Sequence, residues 1–145
     1  MSRRIATWLQ SDLAKGRGIT VQREVQIQWN KRTDIEVRAV TIAGDELRPL
    51  EIIVEVKGCW HNKVRSALKD QLVDDYLAGS GRMYGLYLVV WTTCPRWKDP
   101  RDKRRLRWKL KTLRATQELV EKFATDYDGT KSPFVVRTVV LDARL

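Results

Sequence analysis

The chain has 145 residues, a formal net charge of +10 and two cysteines. Its length predicts one domain, residues 1–145, that can bury about two-thirds of its unfolded surface. Cys59 and Cys94 lack the spacing of a zinc knuckle or a disulfide framework, and no apolar run approaches the length of a membrane span, so we expect a cytoplasmic protein without a membrane partner.

The first part of the chain predicts a helix followed by two strands. Apolar residues recur at helical spacing after Ser2, a good capping residue, and predict a helix that ends near Gly16. Alternating apolar residues then predict a strand over residues 21–28 and a second strand over residues 33–40. Residues 29–32 between them are a plausible hairpin turn.

The next predicted strand, residues 51–58, follows a loop that contains Gly44 and Pro49 and combines an apolar face with a charged one. Isoleucine and valine occupy positions 52, 54 and 56, whereas Glu55 and Lys57 point to the opposite face. Burying an unpaired carboxylate or ammonium costs several kcal/mol. The strand therefore has a partner ion or a function for these two groups, unless its charged face is simply exposed to water.

Two neighbouring strands with acidic residues predict a place where a cation can bind. If the strands pair antiparallel across the loop, the expected register sets Asp34 opposite Lys57. It also sets Glu36 opposite Glu55 on the same face of the sheet. Like charges so close are unfavourable unless a cation lies between them, so we expect an acidic pocket with a lysine at its rim. A slip of two residues would change which acid faces which without breaking up the cluster.

The second half of the chain predicts a helix over residues 62–78, a strand over 84–91, a long helix over 102–126 and a last strand over 134–141. Gln71 lies beside the buried stripe of the first of these helices, as a satisfied bystander or as a ligand of the acidic pocket. The strand that follows is almost continuously apolar, as expected for a buried strand in parallel pairing. These elements predict an α/β fold with a mixed central sheet, an α-β-β-β-α-β core and a C-terminal helix and strand.

A basic segment, residues 96–114, includes the start of the predicted long helix. It contains ten basic and two acidic residues, a net charge of +8, which leaves +2 for the rest of the chain. Acidic partners at helical spacing are missing until Glu118, so a bound polyanion explains the segment better than a solvated face. We predict that nucleic acid contacts Arg104, Arg105, Arg107, Lys109, Lys111 and Arg114.

The residues of the predicted pocket resemble those of the PD-(D/E)XK nuclease superfamily. The resemblance is carried by the acid in Thr33-Asp34-Ile35, by the Glu55-Val56-Lys57 triplet at the end of a strand and by the helix with Gln71 that follows. The order of the predicted elements also matches that family's restriction-endonuclease-like core. The likeness extends from residue 2 to about residue 93.

The resemblance implies a role for each matching residue. Asp34 and Glu55, together with the carbonyl of Val56, would bind Mg²⁺ or Mn²⁺. Lys57 would orient the attacking water or help to deprotonate it, and it would offset charge on the scissile phosphate. Gln71 matches a glutamine that several branches of the family carry near the site.

Two positions depart from the family's pattern. Thr33 stands in place of the proline of the family's name, and the first predicted helix lacks the glutamate that many branches have there. Asp12 or Glu24 could substitute for that glutamate, and Glu36 could add a second carboxylate, so the number of metal ions stays open. His61, the one histidine, has no second histidine at a suitable spacing, and we interpret it as an exposed loop residue.

The leading functional prediction is a metal-dependent endonuclease that hydrolyses the phosphodiester bonds of DNA, with RNA as an open alternative. A second hypothesis is a non-catalytic nucleic-acid-binding or assembly module that retains the nuclease fold, within a larger protein or alone. A third is a purely structural domain whose basic helix docks on an acidic partner. The resemblance also leaves a homodimer open, because members of that family often dimerise to cut both strands.

Overall fold

The structure, a computed structural model, describes residues 1–12, 18–28, 31–43, 46–92 and 112–144. It contains three helices: α1 (Ser2–Asp12), α2 (Leu68–Leu77, with Ala78–Ser80 as its last turn) and α3 (Leu113–Ala124). Its strands are β1 (Thr20–Arg23), β2 (Gln26–Gln28), β3 (Lys31–Arg32), β4 (Ile35–Ala43), β5 (Glu46–Gly58), β6 (Tyr84–Trp91) and β7 (Val135–Asp142).

Five of the strands form a mixed sheet in the order β1-β4-β5-β6-β7. β4 pairs antiparallel with both β1 and β5, whereas β6 pairs parallel with both β5 and β7. β2 and β3 form a separate two-stranded ribbon. The predicted α/β fold with a mixed central sheet and a C-terminal helix and strand is confirmed, as is the parallel pairing of the strand over residues 84–91.

The sheet is covered on both faces, and β5 contributes to both cores. Val54 and Val56 are buried with Ala6 of α1 on one face. Ile53 is buried with Leu72 of α2 on the other, where α3 also packs. Each fully buried Val, Leu or Ile side chain contributes about 1.5–3 kcal/mol to folding. The predicted alternation of β5 is therefore correct, and Glu55 and Lys57 belong to the face that α2 covers.

The hairpin of β4 and β5 is longer than we predicted. β5 begins at Glu46, so the segment around Pro49 that we predicted as a loop belongs to the strand. Proline is tolerated there because β6 begins opposite Ile52. In the described ranges, Pro49 therefore lies where β5 pairs with β4 alone, and edge positions are those at which sheets accept proline.

The predicted register of β4 and β5 is wrong by two residues. Glu36 pairs with Ile53 instead of Glu55. Because the shift is an even number, Glu36 keeps the predicted face but lies two positions away from Glu55 along the sheet. The single acidic cluster that we predicted is therefore divided into two clusters on one face, and our expectation that a slip of two residues would keep it together is wrong.

Three predicted elements have different boundaries. The strand over residues 21–28 is broken at Glu24, whose φ of +52° is incompatible with an extended strand. The helix predicted from residue 62 begins only at Leu68, after a series of turns. Residues 31–32 of the predicted hairpin turn pair with β2 as β3.

The last helix also begins later than predicted. Thr112 is extended, and its hydroxyl accepts a hydrogen bond from the Ala115 N–H at 3.1 Å, so it is the N-cap of α3. The prediction of one continuous helix over residues 102–126 is therefore wrong at Thr112. Residues 102–111 lie outside the described ranges. Within those ranges, no helix is long and apolar enough to cross a membrane.

Candidate functional site

Asp34 directly precedes β4 and connects it to the end of β5. Its Oδ2 accepts a hydrogen bond from the Val56 N–H at 2.9 Å. β4 begins opposite Val54, so without Asp34 this N–H would have no partner on that side of β5. A strand residue directs its N–H and its C=O to the same side, so the Val56 carbonyl faces the side on which Asp34 lies.

Glu55 is almost fully buried beside Asp34 and is incompletely paired. Its side chain is 1 % exposed, and its Oε1 forms an ion pair with Lys57 Nζ. Its Oε2 is buried and has no hydrogen-bond partner in the described part of the protein. Burial, and then the charge of Asp34, raise the pKa of Glu55 to about 7, although Lys57 acts in the opposite direction. Ionised Glu55 would therefore be stabilised by a further cation.

Glu36 belongs to a different cluster on the same face. Its Oε1 accepts hydrogen bonds from Arg38 Nε at 2.5 Å and from Arg82 Nη2 at 3.0 Å. Glu51 forms ion pairs with the same two arginines: its Oε1 lies 3.2 Å from Arg38 Nε, and its Oε2 lies 3.0 Å from Arg82 Nε. The contact with Arg82 does not have the geometry of a hydrogen bond. This group, which we call the arginine cluster, has no net formal charge.

α2 brings two further side chains to this face of the sheet. Its backbone hydrogen bonds join residues five apart, as in a π-helix, so Gln71 and Tyr76 lie one turn apart. Tyr76 is buried, and burial, followed by the charges of Glu55, Asp34 and Asp75, raises its pKa. The Gln71 Oε1 is buried without a hydrogen-bond partner among the described residues.

The turn after β5 depends on a glycine. A Cβ atom at Gly58 would lie 2.5 Å from the Trp60 ring, too close for any larger residue. After this turn, His61 is half-buried, and its Nδ1 accepts a hydrogen bond from the Lys63 N–H at 3.1 Å. Burial, and then the charges of Lys57 and Lys63, lower the pKa of His61. Our interpretation of His61 as an exposed residue is therefore wrong, although it does lie in a loop.

The predicted basic surface is only partly within the described residues. Arg114 is exposed at the start of α3, and its Nε lies 2.8 Å from Glu118 Oε1. The other predicted nucleic-acid contacts lie outside the described ranges: Arg104, Arg105, Arg107, Lys109 and Lys111.

A cavity of about 500 Å³ lies on the opposite face of the sheet, between α1 and the central strands. Apart from Arg4, its lining consists of apolar side chains, among them Trp8, Val54 and Leu88. It contains no group that could activate water or bind a phosphate directly, apart from that one arginine. The candidate site that we describe therefore lies on the other face, at the end of β5.

The residues at the end of β5 fit a hard cation. In the described ranges, no three His, Cys, Asp or Glu side chains are grouped so that they could hold a metal ion. The candidate ligands are therefore two carboxylates, of Asp34 and Glu55, and the carbonyl of Val56. Mg²⁺ and Mn²⁺ prefer oxygen ligands, and Mg²⁺ keeps several waters. The unpartnered Glu55 Oε2 is a buried oxygen that such an ion would satisfy.

No protein-family model, curated protein or solved structure matches this chain. The PD-(D/E)XK resemblance therefore rests on the residues named above and on the order of the elements.

Proposed function

We propose that this protein is a metal-dependent endonuclease that hydrolyses the phosphodiester bonds of DNA. The main support is the arrangement at the end of β5, where the side chains of Asp34, Glu55 and Lys57 lie close together. Their formal charges sum to −1, and one buried oxygen of Glu55 has no partner among the described residues. A buried, under-compensated group of this kind requires either a cation or a partial loss of charge.

Asp34, Glu55 and the Val56 carbonyl would hold the Mg²⁺ or Mn²⁺ ion. When bound, such an ion acidifies water and offsets negative charge on a phosphate. The hydrogen bond from Val56 to Asp34 fixes one of these carboxylates, and β5 fixes the other, so the ligands are positioned before the ion binds.

In addition to the metal ion, Lys57 would place a positively charged side chain at the reacting phosphate. Its side chain is 12 % exposed, and its contact with Glu55 holds the ammonium at the site. A compact cation in a poorly solvated place stabilises negative charge that develops in the transition state, and it can hold the attacking water by a hydrogen bond. Gln71 would contribute its unpartnered amide oxygen to orienting that water.

The basic segment over residues 96–114 supports nucleic acid as the substrate, DNA first and RNA as the alternative. We expect charge reversal of Arg104, Arg105, Arg107 and Lys111 to glutamate to weaken binding. Each lost phosphate contact should reduce the slope of log K against log salt by about 0.9 on duplex DNA. A variant that binds duplex DNA with the wild-type slope would show that this segment is not the contact surface.

The test of the proposed activity is a time course of cleavage of plasmid, linear duplex and branched DNA in Mg²⁺ or Mn²⁺. We expect cleavage by the wild type and a loss of at least about 100-fold in Glu55→Gln, the size of effect seen when an electrostatic catalytic group is removed. Glu121→Gln, an exposed carboxylate on α3, is the matched control and should cleave normally.

The second candidate function is a non-catalytic nucleic-acid-binding or assembly module. It is favoured by the fact that Lys57 pairs with Glu55 and that Asp34 accepts a hydrogen bond from Val56, since both contacts also stabilise the fold. Salt-dependent DNA binding by a wild-type protein that cuts none of the substrates would reject the nuclease and support this module.

A further inference from the structure

β4 and β5 continue beyond the central sheet as a two-stranded ribbon. β1 pairs with β4 only as far as Arg38, and β6 begins opposite Ile52. β4 and β5 nevertheless stay paired as far as Ala43 and Glu46. In the described ranges, residues 39–43 and 46–50 therefore have no other strand beside them. These five residue pairs, which we call the arm, are about 17 Å long.

One face of the arm carries large apolar side chains in water. Val40 is 60 % exposed and Leu47 is 72 % exposed. Pro49, which pairs with Val40, is exposed beside them. Side chains alternate along a strand, so odd-numbered positions of β5 share one face, and Leu47 and Pro49 therefore lie on the face of Glu55. Pro49 borders residues 81–84, whereas Val40 and Leu47 are open to solvent. Grouped apolar side chains exposed in this way indicate a contact surface.

The β5 edge of the arm is unsuited to pairing with another strand. The Val56 N–H points toward the β4 side, where it binds Asp34, so the odd-numbered residues of β5 direct their N–H groups to the other side. Pro49 therefore lacks an N–H at the β5 edge of the arm. A proline in this place blocks the addition of another strand.

The arm and the candidate active site lie on one unbroken strand, β5. Eight residues separate Leu47 from Glu55, a distance of about 26 Å along β5. Duplex DNA rises about 3.4 Å per base pair, so this distance corresponds to roughly eight base pairs. Between the two, the same face carries Arg38, which is 45 % exposed and forms ion pairs with Glu36 and Glu51.

From these observations we infer that the arm enters the major groove of duplex DNA about eight base pairs from the scissile phosphate, with Val40 and Leu47 against the base edges. This inference rests on the proposed function. A two-stranded ribbon fits a major groove about 12 Å wide, and apolar side chains there contact thymine methyl groups. The two described charged side chains of the arm, Glu46 and Arg48, are paired with each other at 3.0 Å. Its contribution to affinity should therefore depend little on salt.

The test compares the wild type with a Val40→Ser/Leu47→Ser double variant for binding to duplex DNA in EDTA, across a series of salt concentrations. We expect about 10-fold weaker binding by the double variant with an unchanged slope of log K against log salt, because no phosphate contact is lost. Thr41→Ser, on the opposite face of the arm, keeps its hydroxyl group and should bind like the wild type.

A second measurement uses the predicted distance. Duplexes are shortened stepwise on one side of the cleavage position, and the wild type should lose affinity once the DNA no longer extends about eight base pairs beyond it. The double variant should show no such step. Equal affinity of the double variant and the wild type, or a changed salt slope, would overturn the inference.

The proposed function and the role of the arm can fail separately. A wild type that cleaves DNA, with a double variant that binds equally well, rejects only the arm. A wild type that neither cleaves nor binds duplex DNA rejects both. Sedimentation of the double variant as a smaller species than the wild type, with DNA affinity unchanged, would assign the arm to a protein interface and overturn the inference.

Discussion

Two glutamates on the same face of the sheet are equally buried but have opposite electrostatic surroundings. Glu36, with a side chain that is 0 % exposed, receives hydrogen bonds from two guanidinium groups in the arginine cluster. Glu55 has one ammonium beside it and a second carboxylate, Asp34, close enough to raise its pKa. The first glutamate is fully compensated by the chain, whereas the second is not.

The difference separates a structural ion network from a candidate active site. Each glutamate has one buried oxygen without a hydrogen-bond partner among the described residues, so burial and missing hydrogen bonds do not distinguish them. The balance of charge does. Two cations offset the charge of a buried carboxylate, whereas a carboxylate beside one cation and one anion, such as Glu55, is stabilised by taking up a proton or a metal ion. The comparison therefore predicts that substitutions at the two positions have different consequences.

The largest expected effect on stability is that of Glu36→Gln. This change leaves Glu51 as the one counter-ion of the two arginines among the described residues. Breaking the pairs with Glu36 costs about 3 kcal/mol, near the low end of the range because Arg38 is half-exposed. Urea or thermal unfolding measures it. Glu46→Gln, an exposed partner of Arg48, is the control and should cost less than about 1 kcal/mol. Equal stabilities of the two variants would mean that the arginine cluster does not depend on Glu36.

The next effect is the response to metal ions. Mg²⁺ or Mn²⁺ at a hundred times its dissociation constant should raise the free energy of unfolding of the wild type by about 2.7 kcal/mol. Glu36→Gln should respond like the wild type, and Glu55→Gln should not respond. Melting curves in EDTA and in saturating metal measure this difference. An equal response of Glu55→Gln and the wild type would contradict a metal site at Glu55, and a lost response in Glu36→Gln would contradict the division into two clusters.

The smallest of the three effects is the pH dependence of stability without metal. The pKa of Glu55 is raised from 4.5 to about 7 in the folded protein, so the folded state holds a proton that the unfolded state has lost. The stabilisation is fully present below pH 4.5 and is lost as the pH rises through about 7. Between pH 5 and pH 7 it should decline by about 2 kcal/mol.

Unfolding of the wild type and of Glu55→Gln in EDTA, at a series of pH values, isolates this contribution. The free energy of unfolding of the wild type, measured relative to that of Glu55→Gln, should decrease as the pH rises. A constant difference over this interval would show that Glu55 keeps an ordinary pKa, and the contrast with Glu36 would then have no electrostatic basis.

The sequence predicted the main elements of the sheet because their signals are local. Alternation along β5 assigned Glu55 and Lys57 to one face, and the apolar run of β6 predicted a buried parallel strand with the observed ends, Tyr84 and Trp91. The face of each side chain depends only on the parity of its position. That is why the shared face of Glu36 and Glu55 was predicted although their pairing was not.

The register of β4 and β5 was mispredicted because it depends on the length of the hairpin. Pro49 was interpreted as part of a loop, and only the three-dimensional arrangement shows that its missing N–H faces an edge where no described strand pairs. The arginine cluster was missed because Arg82 reaches Glu36 across 46 positions of the chain. Arg38, two residues after Glu36, lies on the same face and was a local signal that could have indicated a paired acid.

The position of α3 shows how one residue can override a periodic pattern. Apolar residues at helical spacing predicted one helix over residues 102–126. Thr112, however, has an extended backbone and caps a helix that starts at Leu113. Threonine is a weak helix former in the interior of a helix and a good N-cap, so the signal was present in the sequence but outweighed by the periodicity.

The most direct test of the central claim is the single-turnover cleavage rate of Lys57→Ala in saturating Mg²⁺ or Mn²⁺, with folding checked by circular dichroism. Lys131→Ala, an exposed lysine, is the matched control. We expect a rate at least about 100-fold below that of the wild type, equivalent to about 3 kcal/mol of transition-state stabilisation, and a much smaller change in DNA affinity. A folded Lys57→Ala protein that cleaves DNA at the wild-type rate would contradict the proposed site.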